Sequence, residues 1–153
     1  MMQLSKWISS LLGVGFVKGG GTVAALITCL LWWFFQQDGR SDGTMAVLTL
    51  LITIIGTISA TVVEKDWGKD SSRVVIDEVA GMCIGLLFVP VTIPWVITGL
   101  VLFRFFDIVK PLYIRKMEAL PGGWGVMADD VLAGIYTNMV VQILLYLNLW
   151  PHS

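Results

Sequence analysis

Apolar positions gather into four long runs with polar breaks between them. The first covers residues 23–35 and extends to 37, where a turn-rich stretch, 36–43, interrupts it. The second covers 45–63 and gives way to a polar segment over 64–73. The third, 74–106, is broken by Pro90 and Pro94. A polar loop over 111–130, holding Pro121-Gly122-Gly123, separates it from the last run at 131–150. A helix that crosses a bilayer needs about 20 apolar residues, within a range of about 17–25. The pattern predicts an all-α integral membrane helical bundle.

The third run admits two topologies, one span or a hairpin of two short helices, 74–89 and 93–108, turning at 89–94. Charge favours the hairpin. It places Lys6, Lys18, Lys65, Lys69, Arg73, Arg104, Lys110, Arg115 and Lys116 on one face and leaves Arg40 for the other. Lys and Arg collect on the cytoplasmic side of a membrane, so that face is read as cytoplasmic. Pro90 and Pro94 suit the turn, because each lacks an N–H and resists helix continuation. The expected architecture is five short transmembrane helices with a Pro-containing hairpin in the middle, N-terminus inside and C-terminus outside. Residues 1–18 are read as an interfacial, amphipathic lead-in; the apolar part of this stretch is short, broken by Gly13 and Gly15, and a poor signal peptide.

Composition agrees with this reading. Of 153 residues, 56% are hydrophobic and only 14% charged, against about a quarter charged in a soluble domain. The length suits one membrane-embedded domain over 1–153. A formal net charge of −1 gives no basic field for nucleic acid. Cys29 and Cys83 fall inside apolar runs without metal-type spacing, and read as small buried hydrophobes. The sole histidine, His152, lies beside the end, which leaves His-nucleophile and Ser/His phosphatase strategies without their parts.

What charge there is concentrates at run edges. Asp77-Glu78 and Asp129-Asp130 are adjacent acidic pairs where polar segments meet apolar ones. Charges at a bilayer edge are expensive and rarely kept without a partner. The bland reading is helix capping and dipole stabilisation, worth about 0.3–1 kcal/mol for an early-turn acid. Asp129-Asp130 is expected to begin the last helix, and a cap needs only one acid. Arg104, Asp107 and Lys110 share a helix stripe at i, i+3 spacing. Snorkelling accounts for Lys110. It accounts less well for Arg104, bracketed by Leu102-Phe103 and Phe105-Phe106. A guanidinium takes phosphate oxygens through its planar fork, so Arg104 is the leading phosphate ligand. The run Lys18-Gly19-Gly20-Gly21-Thr22 would present backbone N–H groups to an anion, with Thr22 as helix cap, or act as a hinge. Gly81 and Gly85 form a G-x-x-x-G spacing that lets a second helix approach.

The expected topology brings all these positions to one mouth, where carboxylates and basic groups suit Mg²⁺-assisted phosphoryl chemistry. Other routes lack their residues. There is no G-x-x-x-x-G-K-[ST] loop and no D-x-D-x-T signature, and the sixth position after Cys83 is Val89 rather than arginine.

Taken in order, these segments resemble the phosphatidylglycerophosphatase A family of bacterial membrane lipid phosphatases. The similar stretches are Gly21-Thr22; Lys69-Asp70 followed by Asp77-Glu78-Val79-Ala80-Gly81-Met82; Phe103-Arg104 with Asp107, Lys110-Pro111 and Ile114; and residues 122–130 with Ala133-Gly134. The resemblance implies Mg²⁺-dependent conversion of phosphatidylglycerophosphate to phosphatidylglycerol at the cytoplasmic face of the bacterial inner membrane. It implies acidic site residues at Asp70, Asp77, Glu78, Asp129 and Asp130, with Asp77, Glu78, Asp129 and Asp130 as metal ligands. Thr22, Arg104 and Lys110 would bind the substrate phosphate. One departure is visible: Gly20 stands where the family carries proline, and Ala24-Ala25 where it carries Gly-Ser.

Two other classes compete. A CDP-alcohol phosphotransferase should continue Asp42-Gly43 as D-G-x-x-A-R, and it does not. A non-enzymatic membrane carrier should distribute acids through the membrane depth, whereas these sit at run edges.

Overall fold

A computed structural model describes residues 2–37, 39, 41–69 and 71–149. Asp70, one of the expected site residues, and Arg40 and His152 lie outside the described residues. The described chain is helical, with no strand: α1 (Met2–Ser9), a 3-10 turn (Val14–Phe16), α2 (Gly20–Gln37), α3 (Asp42–Trp67), α4 (Ile76–Leu86), α5 (Ile93–Val109), α6 (Ile114–Met117) and α7 (Gly123–Tyr146). The five expected helices correspond to α2, α3, α4, α5 and α7. Of these, α3 and α7 are long and apolar enough to cross a membrane by length and composition. α4 has 11 residues, a rise of about 16 Å, roughly half the thickness of a hydrocarbon core. Pro90 lies in the connection between α4 and α5, and Pro94 in the first turn of α5, where a missing N–H costs no helical bond.

α4 is the centre of the bundle. Eight of its eleven residues are buried, and it packs against α2, α3, α5 and α7. Its closest neighbour is α7, because glycine faces glycine. A Cβ at Gly81 would lie 2.5 Å from the Asp130 carbonyl, and one at Gly134 would strike the Gly81 carbonyl. Only two bare backbones fit there.

α3 starts at Ser41, whose Oγ accepts from the Thr44 amide at 3.3 Å, and stops at Gly68, where φ is +84°. Its outer face carries Val47, Leu50, Leu51, Ile54, Ile55 and Ile58, all exposed. A contiguous apolar face of this kind calls for a lipid or protein environment. Thr49, Thr53, Thr57 and Thr61 each donate to the carbonyl four residues back at 2.8 Å, which satisfies their hydroxyls without water. Thr61 Oγ1 also accepts from the Gly123 amide at 3.0 Å, and a Cβ at Gly123 would lie 2.6 Å from the Thr61 amide nitrogen. This contact starts α7 at Gly123. The sequence pattern had kept 111–130 as loop, and tertiary docking overrides the local glycines.

The far end of α4 is closed by α7. Asn138 Nδ2 reaches the carbonyls of Leu87 (2.7 Å), Ile84 (3.2 Å) and Gly85 (3.3 Å), while Gln142 Nε2 donates to Phe88 (3.1 Å). The Ile84 carbonyl also accepts from the Leu87 amide, and the two side chains supply donors to carbonyls at and just past the helix end, where intrahelical partners run out. Asn138→Leu, which keeps bulk and removes the donor, is expected to cost about 1–3 kcal/mol. A lowered thermal midpoint in detergent is the readout.

α1 packs along α3, and Lys6 pairs with Asp66. Leu4, Trp7, Leu12, Phe16 and Val17 are exposed along this lead-in, while Ser9 and Ser10 are buried. The Val75 amide donates to the Ser9 carbonyl at 2.8 Å, tying the lead-in to the start of α4.

Candidate active site

Asp77 and Glu78 occupy the first turn of α4, as the sequence indicated. Asp77 Oδ1 accepts from the Glu78 amide at 3.1 Å. Asp129 and Asp130 do not begin a helix. They lie in the second turn of α7, both buried, so the capping explanation fails for both. The Gly81–Gly134 crossing lies immediately beneath and brings Asp130 to α4. One carboxylate oxygen from each of Asp77, Glu78 and Asp130 falls within 4.8 Å of the other two. Adjacent residues on a helix point about 100° apart, yet Asp77 and Glu78 both reach this point from the helix start.

Asp129 turns elsewhere. Its Oδ2 accepts from Lys110 Nζ at 2.6 Å, and the same ammonium donates to Glu118 Oε1 at 2.6 Å. Lys110 reaches both because it caps α5 in a left-handed conformation, φ +48°. Burial alone would pull the lysine down, but its bonds to Asp129 and Glu118 hold it above the usual lysine range. It stays protonated. Arg104 Nη1 pairs with Asp107 at 2.5 Å and stands 4.0 Å from Glu78. Gly21, in the first turn of α2, sits against Glu78, where a Cβ would strike Oε1. Thr22 is not a cap. α2 begins at Gly20, whose amide bonds to the Val17 carbonyl at 2.9 Å, and Thr22 stands exposed within the first turn.

These groups, Glu118 excepted, line a cavity of about 690 Å³, with Thr22 at its wall beside Arg104, Lys110 and the four expected acids. Asp107 and Glu118 are the additions to the expected set. Asp107 was visible as a member of the Arg104 stripe. Glu118 carried no signal, since its role depends on how the 111–122 segment folds back over Lys110.

The donor set is compatible with a hard divalent cation: carboxylates without His or Cys. Glu78 Oε2 and Asp129 Oδ1 are buried with no hydrogen-bond partner, as are Trp32 Nε1 and Arg104 Nε. Buried carboxylate oxygens left this way are costly unless a cation or solvent partners them. The residues present fit Mg²⁺.

A family model for phosphatidylglycerophosphatase A matches residues 7–145. A Bacteroides thetaiotaomicron protein named "Putative phosphatidylinositol-3-phosphatase" is 42% identical, covering 93% of this chain and 96% of its own. Two proteins named phosphatidylglycerophosphatase A are also similar. The Escherichia coli one is 33% identical over 88% of this chain and 81% of its own. The Haemophilus influenzae one is 39% identical over 65% and 63%. No solved structure matches. With four-fifths or more of the chain aligned to two of these proteins and nearly all of it to the family model, the chain belongs to the phosphatidylglycerophosphatase A family and is a phosphatase.

Proposed function

We propose that this enzyme hydrolyses the terminal phosphate monoester of phosphatidylglycerophosphate, with Mg²⁺, at the cytoplasmic face of the inner membrane. The observation that carries the reading is the meeting of Asp77, Glu78 and Asp130 from two helices, with Arg104 beside them. The three carboxylates would hold the metal. Bound there, Mg²⁺ would neutralise phosphate charge and lower the pKa of an attacking water. Arg104, whose Nε has no partner, offers a free N–H edge to a phosphate oxygen. Asp129, fixed through Oδ2 by Lys110, keeps Oδ1 available to take a proton from water. Water adds to phosphorus, the ester P–O bond breaks, and the alcohol oxygen leaves with the proton that Asp129 took from the water.

The cytoplasmic assignment is supported by charge, since Lys18, Arg73, Arg104 and Lys110 all line the cavity. The name of the Bacteroides relative favours a second reading, a phosphoinositide carrying a 3-phosphate. Both substrates are lipid phosphomonoesters and use the same chemistry.

Purified protein in detergent is expected to release inorganic phosphate from phosphatidylglycerophosphate with Mg²⁺, stop on chelation, and recover when Mg²⁺ is restored. Full turnover in chelator would remove the metal from the reading. Faster turnover of the phosphoinositide would exchange the substrate.

A further inference from the structure

Two of the four cations in the cavity are not engaged by its acids. Lys18 and Arg73 line it together with Arg104 and Lys110. Arg104 and Lys110 are bonded to carboxylates, whereas among the described residues neither Lys18 nor Arg73 has a carboxylate partner. Arg73 is held by other means. Its guanidinium carbon lies 5.6 Å from the Phe16 ring centroid and 5.9 Å from that of Trp67, and those two rings meet edge-on at 5.8 Å. Cation–π contact uses the face of a guanidinium and leaves its N–H edge, the part that takes phosphate oxygens in pairs. The backbone is fixed as well, because Gly15 sits against the Arg73 carbonyl.

Depth adds a second argument. Phe16 and Val17 are exposed, and Lys18 follows them directly. Exposed aromatic residues beside lysine and arginine mark the headgroup layer of a bilayer. The diester phosphate of a glycerophospholipid lies in that layer. The cavity, at about 690 Å³, falls within the range of about 300–1,000 Å³ that holds a ligand of drug size, far more than one phosphate group.

We infer that Lys18 and Arg73 form a second anion subsite, which grips the diester phosphate of the lipid while Arg104 and the carboxylates address the monoester. The enzyme then selects lipids that carry both phosphates over a lipid with a single terminal monoester. The inference rests on the phosphatase reading above and narrows its substrate class.

The test compares phosphate release from three lipids in mixed micelles: phosphatidylglycerophosphate and phosphatidylinositol 3-phosphate, which carry both groups, and phosphatidate, which carries only the monoester. Wild-type kcat/KM is expected to be at least about tenfold higher for the first two. Arg73→Gln and Lys18→Gln should each shrink that ratio severalfold through KM, with kcat nearly kept, as loss of uniform binding does. Both residues are exposed, and Arg73→Lys, which retains the charge, should restore part of the ratio. Equal wild-type turnover of all three lipids, or a ratio untouched in both glutamine variants, overturns the subsite alone. No phosphate from any lipid overturns the phosphatase reading, and the subsite with it.

Discussion

Asp130→Asn is expected to reduce phosphate release by at least about 10²-fold, the order seen when one group that stabilises charge in a transition state is removed. The substitution is nearly isosteric, so α7 keeps its packing while the trio with Asp77 and Glu78 loses an anionic oxygen. Asp77→Asn should act alike. Because these acids share one site, the double variant should fall little below either single one. Phosphate release at saturating Mg²⁺, beside gel-filtration profiles and melting curves, separates lost chemistry from lost fold. Wild-type turnover in both single variants would take the metal away from this trio. It would leave the family membership standing.

Gly134→Ala is the second large effect. The new methyl would strike the Gly81 carbonyl and lie 3.1 Å from its Cα. Backbone cannot yield there as a flexible side chain does, so α7 must move off α4. Overpacking of this sort costs about 1–3 kcal/mol. The same displacement carries Asp130 away from Asp77 and Glu78, and a 1 Å misplacement at a reacting centre can cost about 10²-fold in rate. The variant should therefore melt early and turn over slowly. Gly43→Ala is the control, since a Cβ there would meet only Ser41 Oγ at 3.8 Å. A Gly134→Ala protein with unchanged melting and turnover would show that the crossing has slack.

The run edges were readable because a charge beside an apolar helix has few explanations, and that logic singled out Asp77, Glu78, Arg104 and Asp130, which the fold brings to one cavity. The start of α7 was not readable. Residues 122–128 hold three glycines, which argue locally for loop, and only the fit of Gly123 against α3 starts the helix there. That misplacement made Asp129-Asp130 look like a cap when both are buried in the second turn. Thr22 shifted for a similar reason, since the Val17 carbonyl draws Gly20 into the helix three residues early. The division of labour between the two aspartates depends on Lys110 turning back from a left-handed cap toward Glu118. No spacing in the sequence records a turn of that kind.

The brevity of α4 has an effect of its own. In a bilayer its last carbonyls would finish deep among acyl tails, where solvent cannot complete them. A soluble protein would leave that repair to a few water molecules. Here Asn138 and Gln142 do it, so the half of the molecule farthest from the chemistry is latched by two side chains of one helix.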